Sequence, residues 1–535
     1  MAEGSLRIGI ACTGTQLPQW QLKCVQELLA VPGVAVVAVL ELPEPETQEA
    51  TAALYRWWLR RSSRAGLLME QDASALLADF PRVAQAGTNL PEVLREYPMD
   101  ALLQLNGAEL SNAEEGAIPF GIWQFMHGGL GSGSNPIPGL WEFLKDEPMT
   151  SASLQSHSAA SGKNGVLREG FFRTLDHSVV KTAESVLAEC AIWPALACRS
   201  ILSGDSQIIT DTPGPSDGLR ATPGNSDMLA LLWKEFANGR QQRNHSTASD
   251  EWNIGVLPHP VQDLLDESPN LNVRWLPPPA PGQSRSTPFG WMKEENLNVL
   301  YEKYQPDTGE GVIARLRPKK DNNLKRSRTV LEASGHLTYP FILEHDGQIY
   351  VIPEQTHTGK VDLFLLDDEG TTLTFVRTLL EQPLCSPTLF QREERWWLFG
   401  TDTRMPDTLL LAFHAKRFDG PYAPHQLNPI KTDIRSARPG GTPFHHAGAL
   451  WRPAQDGSVP GGQIIFNRIV SLTPTQFHEQ AAKRMEPVPG PWSHGLHTVS
   501  AMGDVTLVDG MRKHSGKARS KSQREQDRKK NAHAS

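Results

Sequence analysis

The feature that most constrains this 535-residue chain is a repeat of about fifty residues in its second half. Five short runs rich in β-branched and aromatic residues recur there: Asn298-Val299-Leu300-Tyr301, Gln348-Ile349-Tyr350-Val351, Arg395-Trp396-Trp397-Leu398, Ala449-Leu450-Trp451 and Val505-Thr506-Leu507-Val508. From Tyr301 to Tyr350, Trp397, Trp451 and Leu507 the steps are 49, 47, 54 and 56 residues. Turn residues fill the gaps, leaving room for about four short strands per unit, which is the signature of propeller blades. A β-sandwich would not repeat so regularly. Each run is read as the inner strand of its blade. Three units open on an x-Pro element: Thr287-Pro288-Phe289, Tyr339-Pro340-Phe341 and Ser386-Pro387-Thr388.

The first half has a different texture. Leu6–Ala11 and Val34–Leu40 read as buried strands, separated by a helix over Leu17–Ala30 that spaces Trp20, Cys24, Val25 and Leu28 on one face. Continuous apolar strands joined by helices demand a parallel sheet covered on both faces. Asp100–Leu105 and Phe120–Phe125 add two strands, and Val179–Leu202 reads as a closing helix kinked or broken at Pro194. The expected fold class is therefore multidomain: an N-terminal α/β domain with an open, largely parallel sheet over 1–203, a linker over 204–250 with one short helix (Met228–Ala237), an all-β five-bladed propeller over 251–511, and a disordered basic tail over 512–535.

Composition narrows the partners. The chain carries a formal charge of −8, yet from Arg512 onward four Arg and five Lys face only Glu525 and Asp527. Such a tail is expected to stay solvated, with at most weak contact to RNA or anionic lipid; no other nucleic-acid partner is expected. No run of about 18 uninterrupted apolar residues calls for a transmembrane segment. The N-terminus lacks the basic start and long apolar stretch of a secretory signal, so a cytoplasmic location is expected. Cys12, Cys24, Cys190, Cys198 and Cys385 form no C-x-x-C pair and read as reduced structural thiols. No metal is expected, and no cofactor is assigned.

Tyr339-Pro340-Phe341-x-x-Glu344-His345-Asp346-Gly347-x-x-Tyr350-x-Ile352-Pro353-Glu354, Ser386-Pro387-x-Leu389-Phe390, Ala447-Gly448-x-Leu450-x-Arg452-Pro453-Ala454-Gln455-Asp456 and Gly495-Leu496-His497-Thr498 look like successive blades of one domain. The stretch resembles the propeller domain at the N-terminal end of plant glucosamine inositolphosphorylceramide transferases, a domain that also occurs in bacteria beside other domains. That resemblance implies a fold similar to the family-43 glycoside hydrolases, which place three carboxylates at a central funnel. Glycoside hydrolysis needs two carboxyl groups flanking the scissile bond. Where related blades open with Asp-Pro, this chain has Thr287, Tyr339 and Ser386, whose hydroxyls cannot act as ionised carboxylates near neutral pH. The departure favours binding or transfer of a sugar over cleavage.

The remaining candidates for a sugar site are Glu344, Glu354, Arg435, Arg438, Arg452, Asp456, His494 and His497, with Trp396, Trp397 and Trp451 offering rings for stacking. Repeated aromatics on blade strands also serve as core packing. Arg452 and Asp456 stand out because buried charge contributes to a core only when paired; they are expected to converge on the funnel with Glu354.

Gly121-Ile122-Trp123-Gln124-Phe125-Met126-His127-Gly128-Gly129, Pro138-Gly139-Leu140-Trp141-Glu142 and Glu147–Leu154 resemble the formyltransferase fold of methionyl-tRNA formyltransferase and sugar-nucleotide N-formyltransferases. By that resemblance His127 falls on the family's catalytic histidine, while Phe125 replaces its asparagine and Lys163 its aspartate. A glycine-rich loop from Gly128 to Ser134 would sit at the carboxyl ends of the strands, where open α/β sheets bind ligands. The leading expectation is a protein of glycan or glycoconjugate assembly that binds or transfers a carbohydrate or nucleotide sugar. A non-catalytic carbohydrate-binding scaffold, an amino-sugar formyltransferase with His127 as its catalytic group, and a glycoside hydrolase-like enzyme are the alternatives.

Overall fold

A computed structural model describes residues 5–43, 52–64, 66–84, 90–106, 118–127, 137–158, 163–204, 222–244, 250–280, 282–305, 308–318 and 327–513. The Gly128–Ser134 loop, 205–221 and 245–249 of the proposed linker, and nearly all of the basic tail lie outside them.

Seven strands form the N-terminal sheet, in spatial order Arg82–Ala84, Val34–Glu41, Leu6–Cys12, Ala101–Gln104, Ile122–His127, Met149–Ser158 and Lys163–Arg173. The first five run parallel and the last two antiparallel. Helices Gln19–Leu29, Val179–Cys190 and Trp193–Leu202 cover the sheet and share its main core with Trp20, Trp123, Phe125 and Trp193. By length and composition alone, Val179–Leu202 could cross a membrane. Here it is broken at Ala191-Ile192, with Pro194 in the first turn of the second half, where its missing N–H costs no hydrogen bond. All five cysteines are free and buried.

The expected short helix of the linker is a twenty-residue helix, Asn225–Asn244. It belongs to the α/β domain: Met228 and Leu231 enter that core, and Lys234 donates to the Phe143 carbonyl at 2.7 Å.

Four complete blades follow, spanning 284–331, 338–380, 384–432 and 444–485, each built of antiparallel strands. The fifth is made from both ends of the domain: Glu251–Leu257 inserts beside Val505–Arg512, pairing Trp252 with Met511, and Val499–Met502 completes it on the inside. Closing the ring this way removes the exposed edges that an open set of blades would leave.

The repeat strands read from the sequence are the second strands of their blades, not the innermost. The innermost are Ser284–Lys293, Thr338–His345, Leu384–Arg392, Phe444–His446 and Val499–Met502. Each joins its second strand through a two-residue turn, as the pairs Lys293 with Asn296, His345 with Gln348, Arg392 with Arg395, His446 with Ala449 and Met502 with Val505 show. Such turns fix the register of the hairpin. The x-Pro elements therefore sit on the innermost strands, against the axis.

The two domains share hydrogen bonds along the free edge of the α/β sheet. The Ile434 N–H donates to the Phe171 carbonyl at 2.9 Å, and the Arg435 guanidinium lies 3.5 Å from the centroid of the Phe171 ring. The edge strand Lys163–Arg173 is thus covered by the third blade rather than left exposed.

Candidate functional site

The geometry of the funnel begins with three bulges. Thr287, Tyr339 and Ser386, each directly before a proline, have φ of 49°, 45° and 50°, and the strand register shifts at each. Left-handed backbone is costly for a non-glycine residue, and a following proline favours extended conformations instead. Strain of this kind persists only where the surroundings fix it. The fixing groups are visible: Asp509 accepts the Thr287 N–H at 3.1 Å, Glu354 accepts the Ser386 N–H at 2.7 Å, and the Thr287 hydroxyl accepts the Tyr339 N–H at 3.2 Å.

These acids belong to a pattern in the sequence. Every second strand carries an acidic residue within its last four positions or directly after them: Glu302, Glu354, Asp402, Asp456 and Asp509, at intervals of 48 to 54 residues. The ring divides by role. Asp509 is buried with its oxygens on the N–H groups of Thr287, His497 and Thr498, and burial pushes its carboxyl up to about 6. Asp402 forms a fork with Arg404. Glu302, Glu354 and Asp456 line the funnel itself.

The funnel is a cavity of about 660 Å³. Glu302 accepts the hydroxyls of Ser286 (2.9 Å) and Thr338 (2.7 Å) on one oxygen, and its other oxygen faces His336 Nε2 at 3.4 Å. His336 accepts the Gly311 N–H on Nδ1, which leaves the proton of its neutral form on Nε2. Across the cavity the Arg438 guanidinium bridges Glu354 (3.2 Å) and Asp407 (3.3 Å) and donates to the Ser386 hydroxyl at 3.0 Å. Asp456 is held by Gln463 and Ser458. Trp252 and His497 form one wall, their rings 4.1 Å apart, and burial beside Arg438 holds the His497 imidazole down at about 4. The α/β domain contributes Arg173, which donates to Asp407 at 3.2 Å and to the Gly457 carbonyl at 2.8 Å.

Glu354, Arg438, Asp456 and His497 therefore come together as expected. Four candidates do not. Arg452 is fully buried inside the fourth blade, where Glu479 takes its Nε at 3.0 Å and the Ser436 and Ala437 carbonyls take the rest of the guanidinium. Arg452 and Lys431 together hold the Glu479 carboxyl down at about 2. The charge is structural because its partner lies in the same blade, two strands away on Phe477–Met485 across Ile464–Leu472. Arg435 forks with Asp433 at the domain junction. Glu344 lies at the far end of its strand, lining the opposite opening of the propeller with Trp291, Phe341 and His445. His494 is exposed and does not line the funnel. Trp396 and Trp397 are buried in blade cores, and Trp451 lies outside the funnel lining. Sequence reasoning missed Glu302, His336, Asp407, Trp252 and Arg173.

His127 is half-buried at the end of its strand, with its ring 6.2 Å from Phe125 and 6.1 Å from Trp20. Burial holds its imidazole down at about 4, and Nδ1 has no hydrogen-bond partner among the described residues. Phe125 is part of the core. Lys163 begins the edge strand, its backbone opposite Ser158.

With this geometry in place, the comparisons bear on the propeller alone. The family model described as glucosamine inositolphosphorylceramide transferase 1, N-terminal, matches residues 279–487, which takes in the first four blades. The transferase of that name from Arabidopsis thaliana is 27% identical over 207 residues, 37% of this chain and 27% of the relative. Its counterpart from Oryza sativa subsp. japonica is 28% identical over 212 residues, 37% of this chain and 28% of the relative. The chain thus spans a little over a quarter of the length of these curated relatives. Among solved structures, a thermostable family-43 glycoside hydrolase is similar at 14% identity and a TM-score of 0.34, over 46% of this chain and 90% of that one. A family 117 glycoside hydrolase from Zobellia galactanivorans is similar at 11% identity and a TM-score of 0.33, over 49% and 90%.

Proposed function

We propose that the propeller funnel binds a carbohydrate, free or as a nucleotide sugar, and that the protein takes part in assembling a glycan or glycoconjugate by binding or transferring that sugar. The observation that carries this reading is the convergence of Glu302, Glu354, Asp407, Asp456 and Arg438 around one cavity beside Trp252. Carboxylates and guanidinium groups match the donors and acceptors of sugar hydroxyls, an indole offers a face for the ring, and the volume is in the range of small-ligand sites. The match of residues 279–487 to transferases named for a glycosylated lipid supports the same direction.

The funnel's chemistry favours holding a sugar over cleaving it. Hydrolysis asks for one protonated and one ionised carboxyl across the glycosidic bond. Here Arg438 is ion-paired with both Glu354 and Asp407, and the three strained positions nearest the axis carry hydroxyls. A non-catalytic carbohydrate-binding scaffold is the second reading, favoured by the same ion pairs of Glu354 and Asp407 with Arg438. The formyltransferase reading draws no support from Phe125, which is committed to the core.

The test is a thermal-shift screen of the full chain against monosaccharides, oligosaccharides, nucleotide sugars and folates, since a ligand that binds only the folded state raises Tm. A sugar or nucleotide sugar that raises Tm, with the rise lost in Glu302→Gln, supports the proposal. A response to folates alone overturns it.

A further inference from the structure

We infer that helices Ala53–Ser62 and Asn225–Asn244 form a surface that docks on an anionic lipid bilayer. The longer helix is apolar on two sides. Met228 and Leu231 face the α/β core, whereas Leu229, Trp233 and Phe236 are 60%, 72% and 61% exposed. At 100° per residue, spacings of four and three residues put these three on one stripe roughly opposite the buried pair. An amphipathic helix that only covers a core has no use for a second apolar face. The shorter helix lies alongside, its Leu54 N–H donating to the Asn225 side chain at 3.1 Å. It buries Tyr55 and Trp58 and leaves Trp57 50% exposed.

The charge around this face is mostly basic, with Asp146 already paired to Lys234. Residues 53–64 include Arg56, Arg60, Arg61 and Arg64, all exposed, and no acid. The two acids of the described part of the longer helix are turned to backbone: Asp227 accepts the Gly224 N–H at 2.8 Å, and Glu235 accepts the Val179 N–H at 3.0 Å. The Arg240 guanidinium lies 4.5 Å from the Phe236 ring centroid, and that of Arg61 lies 6.0 Å from Trp57. Exposed Trp, Phe and Leu flanked by Arg is the composition that settles at a headgroup boundary: aromatic rings enter the interface while guanidinium groups meet lipid phosphates. A soluble acidic partner would match the arginines but not three large apolar side chains on one stripe.

The test is sedimentation of the full chain with vesicles of phosphatidylcholine alone and of phosphatidylcholine mixed with phosphatidylserine, whose negative surface potential attracts basic segments. Binding is expected to the anionic vesicles only, with a blue shift of tryptophan emission, and to weaken at least about tenfold in Arg60→Glu/Arg61→Glu and in Trp233→Ser/Phe236→Ser. Both pairs are exposed, and circular dichroism with thermal melts confirms that the variants fold. Equal binding by wild type and both variants, which would assign any lipid contact to the basic tail, overturns the inference. So does absence of binding at low salt. A dimer in light scattering that dissociates in Trp233→Ser/Phe236→Ser also overturns it, since the face would then be a contact between two copies.

Discussion

Replacing Arg452 with methionine separates a structural charge from a ligand-binding one. The guanidinium and the Glu479 carboxylate are both buried, 2.5 Å apart, and Arg452 also satisfies the Ser436 and Ala437 carbonyls. Methionine fills much of the volume but leaves Glu479 with Lys431, at 2.8 Å, as its remaining cation. Breaking one side of a buried pair costs about 3–5 kcal/mol, and the surviving lysine places this case near the lower figure, about 3 kcal/mol. Arg452→Met/Glu479→Met removes both charges of the pair but leaves Lys431 with only the Ser436 hydroxyl, so the double variant is expected to lose less than the sum of the two single variants. The pH dependence has a fixed sign. Glu479 is held at about 2, below the roughly 4.3 of an unfolded glutamate, so its contribution is full above about pH 4 and fades as pH falls toward 2. Urea unfolding followed by far-ultraviolet circular dichroism measures the stabilities, and titration with the ligand found by thermal shift measures the site. A loss below about 1 kcal/mol in Arg452→Met, or a loss of affinity with stability intact, would refute the structural assignment.

Asp509→Asn tests the opposite case. Burial raises this carboxyl to about 6, so the folded protein takes up a proton between about pH 6 and 4 and wild-type stability falls as pH rises through that window; melts of Asp509→Asn should show a flatter profile there, and an unchanged slope contradicts the assignment. Gly441→Ala is expected to destabilise by more than about 2 kcal/mol in urea unfolding, because a Cβ would lie 1.7 Å from the Val499 carbonyl oxygen at a φ of 142°. Trp252→Ala should weaken sugar binding about tenfold in calorimetry, by loss of the stacking face; undiminished affinity would remove Trp252 from the site.

The repeat was legible because Tyr301, Tyr350, Trp397 and Trp451 mark strands whose hydrophobic content no solvated loop would carry. Their place within each blade was not, since both inner strands of a blade pack against neighbours and the chain carries no local sign of which lies nearer the axis. The x-Pro elements held that information: a proline after a strained residue marks a bulge, and bulges gather where a strand re-aims side chains. Glu302 and Asp456 were equally readable as members of a set of acids recurring near the end of each second strand, a spacing that stands out only once the blades are aligned. Arg452 misled because a buried charge signals a partner, not the kind of partner, and Glu479 is 27 residues away and two strands across the same blade. The strands Met149–Ser158 and Lys163–Arg173 escaped detection because Ser153, Gln155 and Ser156 are buried polar residues that blur the alternation. Helix Asn225–Asn244 was legible only as a short helix over Met228–Ala237 within a linker, because apolar residues on two sides blur which face packs against the α/β core. Arg173 and Trp252 reach the funnel from the α/β domain and from the strand that closes the ring, and no local pattern announces contacts of that range.

A crystal structure with the sugar that raises Tm is the most direct measurement of the central claim. The account predicts its ring against Trp252, with hydroxyls within about 3.2 Å of Glu302, Glu354, Asp456 or Arg438. A sugar seated in the opposite opening beside Glu344, or against the α/β sheet at His127 with the funnel untouched, would contradict it.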